Sequence, residues 1–140
     1  MKVERKINIK TNYSFEAPLY KAAVSLGLAE NEKTEFNSFD LNRFLIADPK
    51  NTFLVCVAGD SMKDENIYEG DLLVVNRKEE PADGKVVIAA LNGEMAVKTY
   101  REIDGSVYLY SANKRFLPIE IIPFWEFEIQ GIVKHVIKKM

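Results

Sequence analysis

From Asn51 onward the apolar positions come in short runs, such as Phe53-Leu54-Val55-Cys56-Val57 and Val86-Val87-Ile88-Ala89-Ala90-Leu91, each closed by turn residues. That spacing belongs to a chain crossing a β-sheet many times, and it predicts strands over 52–58, 71–76 and 127–137, the last bent near Gly131. Two dipeptides sharpen the picture. Asn92-Gly93 and Asp104-Gly105 each separate two apolar runs, and both tolerate the positive φ angles of a type I′ turn, so 86–110 reads as a three-strand meander. A two-residue loop at Asn92-Gly93 pairs Leu91 with Glu94, Ala89 with Ala96 and Val87 with Lys98.

Upstream of Asn51 the pattern changes. Asp40 is placed to cap a short helix through Leu41-Asn42-Arg43-Phe44-Leu45-Ile46, ending before Asp48-Pro49. The polar, acidic stretch 29–38 reads as a linker. Residues 1–28 hold scattered apolar positions without periodicity, so residues 1–37 are expected to be an N-terminal arm and linker, ahead of a domain over 38–140.

Composition narrows the functional classes. The chain has 140 residues, 47% of them hydrophobic, enough for one domain with a core. Its 19 basic and 21 acidic side chains leave a net charge of -2, which supplies no general positive field for a polyanion and argues against direct sequence-specific DNA binding. Tyr100, Arg101, Tyr108, Tyr110, Lys114 and Arg115 are the aromatic and basic residues that would suit a single-strand binder, and the net charge weighs against that reading. Cys56 is the single cysteine. It has no intrachain partner and is expected to be a buried free thiol in a reducing compartment. No run of 18 apolar residues occurs and the N-terminus is charged, so a cytoplasmic protein without membrane contact is expected. Asp64, Glu65, Glu69 and Asp71 read as turn residues, and neither a metal nor a cofactor is expected.

Chemistry enters at Val57-Ala58-Gly59-Asp60-Ser61-Met62, where a strand leaves through a glycine into a turn that presents a serine. Such a turn can expose a nucleophile and aim backbone N–H groups at a developing oxyanion, although a turn serine is far more often structural. A nucleophilic serine needs a base. The one histidine, His135, sits among Lys134, Lys138 and Lys139 and reads as a surface strand residue, whereas a neutral lysine can take the role. Lys98 shares a strand face with Val87, Ala89, Ala96 and Tyr100, with Ile88, Ala90, Met95 and Val97 on the opposite face. If that face is covered, burial disfavours the ammonium, each pH unit of depression amounting to about 1.4 kcal/mol. On the pattern alone, a solvated face with Lys85 and Glu94 also stays open.

Read in order, Gly59-Asp60-Ser61-Met62, Glu69-Gly70-Asp71-Leu72-Leu73-Val74-Val75, Gly84-Lys85-Val86-Val87-Ile88-Ala89-Ala90, Glu94-Met95-Ala96-Val97-Lys98 and Gly131-Ile132-Val133-Lys134-His135-Val136-Ile137 resemble the LexA/UmuD (S24) family of self-cleaving serine peptidases. The resemblance covers roughly 38–138, and the interval of 37 from position 61 to position 98 equals the family's spacing. Within the family the UmuD type is the nearer likeness, because the short arm and the 40–46 segment look like its organisation and no DNA-binding domain fits ahead of Ser61. The resemblance implies a mainly β, strongly twisted LexA/signal-peptidase-like domain with a short helix and an extended N-terminal arm. It implies Ser61 as nucleophile, Lys98 as general base, and an oxyanion contact from the backbone at Asp60 and Ser61.

The implied activity is removal of the chain's own arm during the SOS response, at Leu26-Gly27. The implied partners are a second copy in a homodimer, a RecA–single-stranded DNA filament as co-protease, and the catalytic subunit of a translesion DNA polymerase (UmuC-like). Leucine departs from the Ala or Cys expected before the glycine. Overfilling a pocket shaped for a methyl group by about 1 to 3 kcal/mol is expected to slow the cut. The alternative is a dimeric accessory subunit of such a polymerase that does not cleave.

Overall fold

In the computed structural model, residues 2–8, 16–17, 20–22, 31–33 and 39–140 are described. Leu26-Gly27, and most of the segment expected to be a linker, lie outside them. The strands are β1 (Lys2–Asn8), β2 (Glu16–Ala17), β3 (Tyr20–Ala22), β4 (Asn31–Lys33), β5 (Phe39–Asp40), β6 (Thr52–Ala58), β7 (Leu72–Asn76), β8 (Val86–Leu91), β9 (Glu94–Ile103), β10 (Ser106–Tyr110), β11 (Ile119–Glu120) and β12 (Phe127–Ile137). The fold is mainly β, with one short α-helix, α1 (Leu41–Leu45).

The chain divides into two compact units, residues 10–47 and residues 1–9 with 48–140. In the smaller unit β2 pairs with β5 and β3 with β4, both antiparallel. The expected helix starts where Asp40 caps it: the Asp40 carboxylate accepts the Arg43 amide at 3.2 Å, satisfying one of the N–H groups that a helix start leaves without a partner.

The larger unit is one antiparallel sheet in the order β1-β6-β7-β12-β8-β9-β10-β11. Lys2 of β1 also lies opposite Ala96 of β9, which closes the first six strands on themselves. The strand β1 carries Lys2, Glu4, Arg5 and Lys6 among its seven residues and gives no apolar run. It joins the sheet by main-chain pairing to β6, with a register shift between Val3 and Arg5.

Both two-residue hairpins form as the turn chemistry requires. Asn92 and Gly93 have φ of 49° and 83°, and Asp104 and Gly105 of 50° and 79°, the left-handed values of a type I′ turn. The register of β8 on β9 sets Leu91 opposite Glu94, Ala89 opposite Ala96 and Val87 opposite Lys98. With side chains alternating across the sheet, the two faces separate into two cores. One gathers Phe53, Val55, Val57, Met62, Ile67, Leu73, Val75, Ile88 and Val97. The other gathers Val87, Ala89, Tyr100, Leu109 and Ile132. Cys56 falls between Val55 and Val57 on the face away from the first core, and is half-buried where a fully buried thiol was expected.

The bend expected near Gly131 is a register shift in β12 between Ile129 and Gly131. A β-carbon there would lie 2.5 Å from Val75 Cγ1 and 2.7 Å from the Asn76 carbonyl oxygen, so only glycine lets β12 approach β7 this closely. Gly131→Val should lower stability by about 1 to 3 kcal/mol, seen as a lower denaturant midpoint with the slope unchanged. An unaltered midpoint would show that β7 yields without strain.

Candidate active site

The strand β6 delivers the chain to Gly59, whose φ of 88° turns it out of the sheet. Asp60, Ser61 and Met62 follow, then a 3-10 turn over Lys63–Glu65. Met62 is fully buried in the first core and anchors the turn. Ser61 beside it is only 2% exposed. Its Oγ is buried with no hydrogen-bond partner among the described residues, a state that costs about 1 to 3 kcal/mol and points to a role other than packing. The backbone N–H groups of Asp60 and Ser61 likewise bond no acceptor among the described residues.

Lys98 comes from the middle of β9 on the face of the second core, and is 9% exposed. Burial pushes its pKa below the ordinary lysine value. The cover is the end of β10 and the chain that follows it. Leu109 packs into the same core, and the ring of Phe116 lies with its centroid 5.7 Å from Lys98 Nζ. A cavity of about 230 Å³ adjoins the amine, walled largely by Ala89, Leu91, Met95, Ala96, Leu109 and Ile119. Glu94 also lines it, so Lys98 and Glu94 are its charged groups among the described residues. Of the two readings of this face, buried or solvated, the first holds. Lys85 belongs elsewhere, in an ion pair with Glu79 at 2.5 Å.

Tyr100, two residues along β9, is also buried. Its hydroxyl donates to Glu102 at 2.8 Å, and burial together with that carboxylate raises its pKa to about 12. It therefore stays a neutral phenol beside Lys98 across the working pH range.

Ser61 Oγ and Lys98 Nζ do not hydrogen-bond to each other. The amine donates instead to Ser111 Oγ at 2.5 Å. Both residues are tied to the segment that Ser111 begins. Asp64 donates its amide to the Ala112 carbonyl at 2.7 Å. The Ala112 amide donates to Met62 Sδ at 3.3 Å, and Asn113 Nδ2 donates to the Asp60 carbonyl at 2.8 Å. Ser111, Ala112 and Asn113 thus tether the serine turn on one side and the lysine amine on the other.

Sequence reasoning missed this segment, although the signal was present. The Asp104-Gly105 hairpin pairs Tyr110 with Thr99, and one step further along the same register sets Ser111 across from Lys98. His135 is half-buried in β12, opposite Val74. Among the described residues no group of three or more His, Cys, Asp or Glu side chains could hold a metal ion, and no helix is long and apolar enough to cross a membrane.

Comparison with known proteins gives the family. Residues 18–134 match the family described as Peptidase S24-like. The chain is 36% identical over 112 residues to the LexA repressor of Colwellia psychrerythraea, covering 79% of this chain and 52% of that protein. It is 35% identical over 112 residues to the LexA repressor of Shewanella woodyi, covering 79% and 53%. It therefore spans about half the length of the curated relatives it matches. On a match that takes in most of its length, and with a mainly β fold that suits the family, the chain belongs to the S24 family of self-cleaving serine peptidases.

Proposed function

We propose that this chain is a Ser-Lys peptidase of the UmuD type that removes its own N-terminal arm at Leu26-Gly27. The observation that carries the reading is Lys98: an amine on an apolar strand face, covered, with its pKa lowered by burial, and tied through residues 111–113 to the turn that holds Ser61. A free lysine is protonated near neutrality and cannot act as a base. Burial enlarges the neutral fraction that can.

In this mechanism the neutral Lys98 amine takes the Ser61 hydroxyl proton as Oγ bonds to the Leu26 carbonyl carbon. The oxyanion then faces the backbone N–H groups of Asp60 and Ser61, contacts of a kind worth about 3 to 4 kcal/mol per donor. As the carbon–nitrogen bond breaks, the Lys98 ammonium gives its proton to the Gly27 nitrogen. Water, deprotonated by Lys98, then hydrolyses the ester, freeing Ser61 and a carboxylate at Leu26. The apolar walls beside Lys98 suit a leucine next to the cut bond better than a polar residue. We place this activity in the SOS response: a homodimer, stimulated by a RecA–single-stranded DNA filament, whose processed form activates the catalytic subunit of a translesion DNA polymerase.

One observation favours a second reading, a dimeric accessory subunit that does not cleave. The Ser61 hydroxyl and the Lys98 amine are not joined. Incubating the purified chain separates the two. The parent should release a fragment beginning at Gly27, identified by mass, while Ser61→Ala and Lys98→Ala should lose at least a hundredfold in rate. A parent that stays whole with the RecA filament added supports the accessory reading, and a Ser61→Ala chain that cleaves normally ends the peptidase one.

The pH dependence has a definite sign. Only the unprotonated amine acts, so the rate should rise with pH through the Lys98 pKa. It should level off below the ordinary lysine value of 10.5, with Tyr100 contributing no step in that range. A rate that is flat, or that falls as pH rises, contradicts Lys98 as the base.

A further inference from the structure

Among the described residues, Ser111 accepts a hydrogen bond from the Lys98 amine, and no part of the mechanism above uses it. We propose that Ser111 is the positioning residue of this site: its hydroxyl oxygen holds one N–H of Lys98 so that the amine is aimed at Ser61. The inference rests on the Ser-Lys reading and extends it.

The geometry begins with register. Ser111 follows the last paired residue of β10, Tyr110, which lies opposite Thr99, and one further step sets it across from Lys98. The observed contact, Nζ to Oγ at 2.5 Å, is what that placement produces. On the other flank Lys98 meets Val87, which offers no polar atom. Ser111 is itself fixed from behind, because the next two residues bond to the serine turn through the Ala112 amide on Met62 Sδ and the Asn113 side chain on the Asp60 carbonyl. Asn113 is almost fully buried, so the tether is not a surface contact that water replaces. The group that holds the base is thus attached to the turn that carries the nucleophile.

The chemistry needs such a group. A lysine amine sits on a flexible four-carbon stem whose rotamer freedom must be lost to aim it. An unprotonated amine carries two N–H donors and one lone pair, and only the lone pair can receive the Ser61 proton. With the stem between Val87 and the apolar cavity walls, one donated N–H restricts rotation about the last carbon–nitrogen bond and therefore the direction of the lone pair. A nucleophile, its base, and a third group orienting the base is the general logic of such sites. Here the third position is a neutral hydroxyl. That suits a base that must stay unprotonated, since a carboxylate in its place would favour the ammonium.

Ser111 is also a competitor for the role of nucleophile, being the serine in actual contact with the amine, and the test has to separate the two. Parent, Ser111→Ala, Ser111→Cys, Ser111→Thr and Ser61→Ala chains are compared in self-cleavage and in labelling by a fluorophosphonate, with the labelled residue mapped by mass spectrometry. The expected result is label on Ser61 in the parent and none in Ser61→Ala. Ser111→Ala should be about tenfold to a hundredfold slower in both assays, and Ser111→Thr, which keeps the hydroxyl, should return to within a few-fold of the parent. Ser111→Cys repeats the loss if the alanine chain does not fold. Parent rates in the alanine and cysteine chains overturn Ser111 alone and leave the Ser-Lys pair standing. So does a threonine chain as slow as the alanine one, which would make the loss structural. Label on Ser111 overturns the inference in favour of a different nucleophile. A parent that neither cleaves nor takes label removes the peptidase reading and this inference with it.

Discussion

The register of one meander governs everything chemical in this molecule. Two type I′ hairpins, at Asn92-Gly93 and Asp104-Gly105, set β8, β9 and β10 side by side with no freedom to slip. A shift by one residue would turn Lys98 toward the core of Phe53, Val55 and Leu73 and send Val97 to its place. In the register observed, Lys98 stands in a row with Ile132 and Val87 on one flank and Ser111 on the other. Among the described residues, the hydrogen bond that the amine makes goes to Ser111, and Ser111 belongs to the segment that also holds the serine turn. Burial, lowered basicity and alignment follow from that single pairing pattern.

The site breaks the ordinary rules of a folded interior in two places at once. A lysine lies on an apolar strand face, and a buried serine hydroxyl has no partner among the described residues. Burial disfavours the ammonium of the first, and the second leaves a buried hydroxyl unsatisfied at about 1 to 3 kcal/mol. Groups held at such a disadvantage are concentrated where chemistry is done. The rest of the sheet carries the load: two cores, one on each face, filled by valine, isoleucine, leucine and aromatic side chains.

Much of this was legible in the sequence because it depends on local chemistry. Asn-Gly and Asp-Gly specify their turns, and a two-residue turn specifies its register, so the partners of Lys98 along β8 followed by counting. Asp40 announced its helix, and Gly131 its bend. What was not legible depends on tertiary contact. The strand β1 is charged at four of seven positions and is held by main-chain bonds that leave no mark in the hydrophobic pattern. Cys56 sits in an apolar run, but strand alternation turns it away from the core. Beyond Leu109, the cover over Lys98 comes from residues 111–119, a stretch with few strand signals. Ser111 within it could have been reached by extending the second hairpin's register one residue beyond the paired strand.

The central claim is that burial on this strand face keeps a usable share of the Lys98 amine unprotonated. Titrating the lysine side chains by NMR in the intact Ser61→Ala chain, labelled with carbon-13 at the ε position and assigned by loss of one signal in a Lys98→Arg companion, reads that directly. The account predicts one resonance that titrates clearly below the other lysines, and that this is the signal the companion lacks. A Lys98 resonance titrating with the exposed lysines, or above them, would contradict it.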